Sequence, residues 1–146
     1  MYKIGLRDGS PVSAGRMVEL KGGEAYTNAF KPGQAVCIIE GVLKYAGVQG
    51  SCPDAIVSEV YDDPETLYTD TAICMLLTED MLLEVPVKGT DAQIEHLEAG
   101  IFIGFGDFEV DASGTSEYCQ VMDTLGAKTA GDKILVRFIH NNKATT

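Results

Sequence analysis

The sequence predicts an all-β fold: a compact β-barrel or sandwich carrying one short helix. Three observations lead there. Short apolar runs recur along the chain, each bounded by Gly, Pro, Asn, Asp or Ser punctuation. The last third contains a glycine-punctuated strand, Ile101-Phe102-Ile103-Gly104-Phe105-Gly106, and a closing strand, Lys133 to Ile139, introduced by Ala130-Gly131-Asp132. A single stretch, beginning at Thr90, has the start signals of a helix.

Residues 1–15 carry Gly5, Gly9, Pro11 and Gly15 among few periodic apolar positions, and read as an extended amino-terminal arm. Residues 16–146 read as a single β-rich domain. Arg16 to Leu20 is its first strand, closed by Lys21-Gly22-Gly23. After the turn signal Pro32-Gly33, Gln34 to Glu40 is apolar on both faces, so it must lie between two layers or face a partner. Gly41 breaks that strand and Val42 to Gly47 returns, which suggests a hairpin. Ala55 to Val60 follows Gly50-Ser51-Cys52-Pro53 as a further strand. Thr71 to Leu77 and Leu82 to Val87 are two more, and Pro86 places the second near an edge or a strand end.

Thr90 with Gln93 three residues on fits a capping box, and Asp91 suits the positive end of the helix. Ile94 and Leu97 form a narrow apolar stripe, and Gly100 is a natural stop about two turns later. Beyond it, Ile101, Ile103 and Phe105 are expected on one face and Phe102, Phe108 and Val110 on the other, with Asp107-Phe-Glu-Val continuing the strand. Asp111 to Ser116 reads as a hairpin-type loop, Glu117 to Met122 as a strand, and Thr124 to Ala130 as a polar connection. In the closing strand Ile134, Val136 and Phe138 share one face. Arg137 on the other is an interface salt-bridge partner or a snorkelling edge residue.

A chain of 146 residues can bury a core without staples, losing roughly 68–70% of its unfolded surface at this size. Its 22 acidic and 11 basic residues give a net charge of −11, which repels phosphate backbones and argues against nucleic acid as a partner. No long apolar run is present, and the opening Met-Tyr-Lys-Ile-Gly-Leu-Arg lacks the apolar centre of a secretory signal. The reading is therefore a protein made and kept in a cytosol, with no membrane partner. Cys37, Cys52, Cys74 and Cys119 are far apart and form no Cys-x-x-Cys pair, so buried free thiols are expected.

The chain gives little purchase to catalysis. Its serines lie outside any Gly-x-Ser-x-Gly, and His96 and His140 are its only histidines. Asp62, Asp63, Glu65 and Asp70 concentrate in one loop, but without the glycine-centred spacing of an EF-hand. A solvated acidic turn is the favoured reading of Asp62 to Asp70, and calcium the alternative. Gly104-Phe105-Gly106 lacks the third glycine and following helix of a dinucleotide fingerprint. Those glycines instead suggest a bulge or a close approach of neighbouring backbone. No enzyme activity, cofactor or metal is assigned on this basis.

Strands apolar on more than one face usually hide that surface in an assembly. The phrases Ser13-Ala14-Gly15-Arg16-Met17-Val18-Glu19-Leu20 near the start and Ala130-Gly131-Asp132-Lys133-Ile134-Leu135-Val136-Arg137-Phe138 near the end resemble those of capsid decoration, or cement, proteins of tailed bacteriophages and prophages. The resemblance implies a non-enzymatic structural protein made in the host cytoplasm. It would bind the outside of the virion head, commonly as a trimer, with the major capsid protein as partner. Phe102, Phe105, Arg137 and Phe138 are the interface candidates, because apolar or cationic residues on second faces of strands need partners. Another virion component, such as a head fibre base or tail protein, is one alternative. A small-molecule or carbohydrate-binding barrel, with Tyr61, Tyr68 and Tyr118 as stacking surfaces, is the other.

Overall fold

The computed structural model describes residues 1–4, 6–7, 10–11, 17–21, 30–61 and 71–139. The described residues form thirteen strands and two short helices. In order they are β1 (Lys3–Ile4), β2 (Leu6–Arg7), β3 (Ser10–Pro11), β4 (Met17–Lys21), β5 (Ala35–Ile39), β6 (Val42–Tyr45), α1 (Ala46–Gln49), β7 (Ala55–Tyr61), β8 (Thr71–Leu76), β9 (Leu83–Lys88), α2 (Asp91–Glu95), β10 (Phe102–Phe105), β11 (Val110–Asp111), β12 (Cys119–Asp123) and β13 (Lys133–Phe138). The fold is all-β, as the sequence predicts.

The second half of the chain closes on itself. Strands run β9-β11-β10-β12-β13, and β13 pairs back onto β9, so five strands make a closed barrel. Closure leaves these strands without an open edge. Alternation fills the interior: Ile134, Val136 and Phe138 of β13 are buried, as are Val121 and Cys119 of β12, Ile103 of β10, and Leu83, Val85 and Val87 of β9. Ile94 of α2 and Leu97 just beyond its end complete this core.

The first half is an open five-stranded sheet, β4-β8-β7-β5-β6, curled into a half-barrel. Its two outer strands, β4 and β6, approach one another without sharing a ladder. Its own small core is Phe30, Val36, Leu43, Ala55, Val57, Ala72 and Cys74. The two-sided apolarity of β5 now has its explanation. Ala35 and Cys37 face the barrel core while Val36 faces the half-barrel core, and in β7 Ile56 and Val57 divide the same way.

Residues 1–4 belong to this construction. β1 pairs with β9, and Tyr2, 2% exposed, packs its ring on Phe138 with centroids 5.8 Å apart. The Tyr2 amide donates to the Gly33 carbonyl, and its phenol donates to the carbonyls of Gly106 and Glu109. Tyr2 thus holds the barrel through its ring and phenol and the segment leading into β5 through its amide. Burial pushes its phenol well above the usual tyrosine range.

Several local expectations change. Val42 to Gly47 does not stay extended: the strand ends at Tyr45 and Ala46–Gln49 form α1, whose carboxyl end closes at Gly50 with φ +64°. The helix at Thr90 has both halves of its capping box, Gln93 N to Thr90 Oγ1 at 3.2 Å and Thr90 N to Gln93 Oε1 at 2.9 Å. It stops at Glu95, short of Gly100. Pro86 keeps the expected edge character although its strand belongs to the closed barrel. It falls where β1 has ended and β11 has not begun, so β9 is locally an edge on that side, where a missing N–H is tolerated.

The largest change concerns Ile101 to Val110. The chain does not continue as one strand but reverses at Gly106–Glu109, and β11 returns antiparallel to β10 and parallel to β9. The reversal is held by Gly106 N donating to the Glu109 carbonyl and by Tyr2. It also joins the half-barrel. The Asp107 carboxylate accepts from Gly47 N at 2.9 Å, and its carbonyl accepts from Ala35 N. Among the described residues no helix is long and apolar enough to cross a membrane.

Candidate functional site

Two surfaces of the barrel merit description, and β10 contributes to both. Along this strand Phe102 and Gly104 point outward while Ile103 is buried. Residues 112–118 then cross over β10, because β11 and β12 flank it on opposite sides. The stretch Asp111 to Ser116 is therefore a crossover, not a hairpin loop. It passes directly above Gly104: a Cβ there would stand 3.3 Å from the Gly114 Cα. Of the two suggested meanings of the glycines, close backbone approach is the one that holds at Gly104. Ser116 fastens the crossover by donating to the Ile103 carbonyl at 2.7 Å and accepting from the Tyr118 and Cys119 amides.

The first surface is a row across the barrel exterior. Phe102 pairs with Gln120, and Gln120 with Arg137. Gln120 is the organiser: its Oε1 accepts from Arg137 Nε at 2.9 Å, and its Nε2 donates to the Gly100 carbonyl at 3.0 Å. A guanidinium is thereby held through its Nε two strands from an aromatic ring. Phe102 is 38% exposed and its neighbour Ile101 39%. Arg137 pairs with Gln120 of β12, while the ladder between β13 and β9 stops at Val136, so on that side Arg137 stands at a local edge.

The other two interface candidates sit elsewhere. Phe138 is 1% exposed and fills the barrel core, so its ring offers no surface to a partner. Phe105 is half-buried and meets Phe138 edge-on, with centroids 5.4 Å apart and planes at 83°. Two of the four candidates are therefore brought together on one face, and the other two form an edge-on pair behind it.

The second surface is a groove of about 370 Å³ lined by Phe105, Tyr118, Thr115, Ser116, Glu117 and the glycines Gly50 and Gly104. Sequence inspection singled out Phe105 and Tyr118 but not Gly50 or Thr115. Those two reach the groove only through the α1 terminus and the crossover. The glycine and hydroxyl density of residues 111–116 was the available signal. Tyr68 and the side chain of Tyr61 lie outside the described residues, as does the whole acidic stretch Asp62 to Asp70.

Among the described residues the shifted ionisable groups are a buried phenol, buried thiols and loop carboxylates. All four cysteines are free and buried. Burial pushes the Cys74 thiol up to about 11 and the Cys119 thiol higher still, so both are poor nucleophiles. Hydrogen bonds from Ser113 hold the Asp111 carboxyl below its ordinary range, and the Lys128 and Thr129 amides do the same for Asp132. These are loop-fastening contacts. His96 is exposed and its ring bonds the Ala92 carbonyl of its own helix. Among the described residues no three of His, Cys, Asp and Glu converge as metal ligands would. The chain matches no protein-family model and no curated protein sequence.

Proposed function

We propose that the chain is a structural virion protein, a capsid decoration or cement protein that binds the outside of a tailed-phage head and stabilises contacts between capsomers. Its role is non-enzymatic and its working form a homotrimer. The observation that carries the reading is the exterior row Phe102–Gln120–Arg137. The barrel core is complete without it, so an exposed phenylalanine beside an oriented arginine is surplus to folding. Aromatic residues and arginine are what protein interfaces concentrate at their centres. Leu125 adds support: it is 51% exposed and held at φ +51°, two unfavourable conditions that a contact would offset. The net charge of −11 keeps unbound copies apart and favours a basic docking surface.

Molar mass by light scattering across a dilution series, then co-sedimentation with expanded heads built from the same genome's major capsid protein, tests the proposal. A trimer, or a monomer that pellets saturably with heads, supports it. A strict monomer that ignores heads overturns it. The double variant Phe102→Ala, Arg137→Ala should stay folded, since neither side chain fills a core, and should lose at least tenfold in head affinity. Unchanged affinity would move docking to another face.

A further inference from the structure

We propose that the groove between Phe105, Tyr118 and the crossover is a binding site for a neutral sugar residue of an oligosaccharide. At about 370 Å³ it has the size of a small-molecule site, and it opens to solvent along one side, which suits one ring of a longer chain. Two aromatic side chains line it, and sugars present apolar C–H faces to such rings. Phe105 is fixed beforehand by its edge-on contact with Phe138. Ser116 fixes the crossover just as firmly, through its bonds to Ile103, Tyr118 and Cys119. The site is thus built before a ligand arrives, and little ordering cost remains for binding.

The polar lining points the same way. The internal hydrogen bonds of the crossover run through Ser116, and among the described residues the Thr115 hydroxyl and the Tyr118 phenol take no part in them. Hydroxyls donate and accept, as sugar hydroxyls do. Gly50 and Gly104 present bare backbone, so a ring can approach closely. Among the described residues that line the groove Glu117 is the one carboxylate and none is a lysine or arginine, and the whole chain is acidic. Anionic ligands are therefore repelled. A cation would use the hydroxyls only as acceptors, whereas a sugar uses both their capacities.

The test is an amide-resolved NMR titration of the isolated chain with maltotetraose, cellotetraose, mannotetraose and chitotetraose, alongside sialyllactose as anionic probe and an N-acetyl-lysine amide as cationic probe. At least one neutral oligosaccharide should saturably shift the amides of residues 104–105 and 115–118. Tyr118→Ala should abolish the shift. Thr115→Trp, at an exposed position where folding is unaffected, should weaken binding at least tenfold by filling the groove. Saturable shifts from the lysine derivative alone would reassign the groove to a basic side chain and overturn the proposal. So would the absence of shifts with all four neutral sugars, or shifts that Thr115→Trp leaves intact. Because binding is read on the isolated chain, the result stands apart from whether heads are bound.

Discussion

The barrel and the half-barrel each use five strands, yet they solve the edge problem differently. The barrel closes through β13 and β9, and its interior holds a continuous buried cluster that includes residues from every one of its strands. The half-barrel stops short, leaving β4 and β6 as neighbours without a ladder over a core that includes Val36, Leu43, Val57 and Cys74 among the described residues. An open sheet buries its apolar faces only against another layer. This one is stabilised by leaning on the barrel through β5 and β7, whose side chains alternate between the two cores. The barrel is thus the structural anchor and the half-barrel its dependent.

The largest test of that dependence is Phe138→Ala. The ring touches both Tyr2 and Phe105, and removing it should cost about 3–5 kcal/mol, as large aromatic-to-alanine changes in cores do. If the half-barrel depends on the barrel, chemical denaturation will remain a single transition at a lower midpoint. Native-state hydrogen exchange will then show β7 and β8 amides losing protection together with β12 and β13. Persistent protection of β7 and β8 would show two separately folding units and break the comparison.

A smaller change sharpens it. Tyr2→Phe keeps the packed ring but removes the phenol that bonds the Gly106 and Glu109 carbonyls. The Glu109 carbonyl keeps Gly106 N as a donor, so the loss should be about 1 kcal/mol. The effect should concentrate at the reversal and at the two bonds from Asp107 to the half-barrel. Exchange rates at Ala35 and Gly47 are the readout, since both amides donate to Asp107.

What could be read from the residues divides along the same lines. Strands with an internal pattern were legible: the alternation of Ile134, Val136 and Phe138, the doubly apolar β5, and the capping box from Thr90 to Gln93. Features that depend on distant residues were not. Nothing local in Gly106-Asp107-Phe108-Glu109 announces a reversal, because it is fixed by Tyr2 and by Gly47 and Ala35 from elsewhere in the chain. Phe102 and Arg137 were singled out separately for being apolar or cationic on a second face. Only strand register reveals that Gln120 lies between them. The groove was half legible, through Phe105 and Tyr118, because its other walls come from a crossover and a helix end.

Acid should act on two loops of the barrel. Asp111 and Asp132 both have carboxyls held below their ordinary range by hydrogen bonds from Ser113 and from Lys128 and Thr129. A depressed folded-state value means that the stabilisation is fully present above the unfolded value, about pH 3.9 for Asp, and is lost as pH falls through the lower folded values. The midpoint of thermal unfolding should therefore be flat in this respect above about pH 5 and decline below about pH 4. Asp132→Asn should reduce the decline, and an unchanged acid limb would show that these loops contribute nothing to it.

The smallest effect should be a gain, and it tests the half-barrel at its outer strand. Glu40 and Gly41 form the two-residue link between β5 and β6, with φ of +53° and +80°. Hairpin turns of this geometry favour Asn-Gly, because a left-handed conformation costs an ordinary side chain roughly 1–2 kcal/mol and asparagine less. Glu40 is exposed, so exchanging it removes no core contact. Glu40→Asn should raise stability by a fraction of that cost, about 0.5 kcal/mol, measured as a higher denaturation midpoint with an unchanged slope. If half-barrel and barrel fold as one unit, the gain will appear in the global midpoint. If instead only the exchange of β6 amides slows while the midpoint stays put, the outer strand opens independently, and β4 and β6 are edges available to a partner strand.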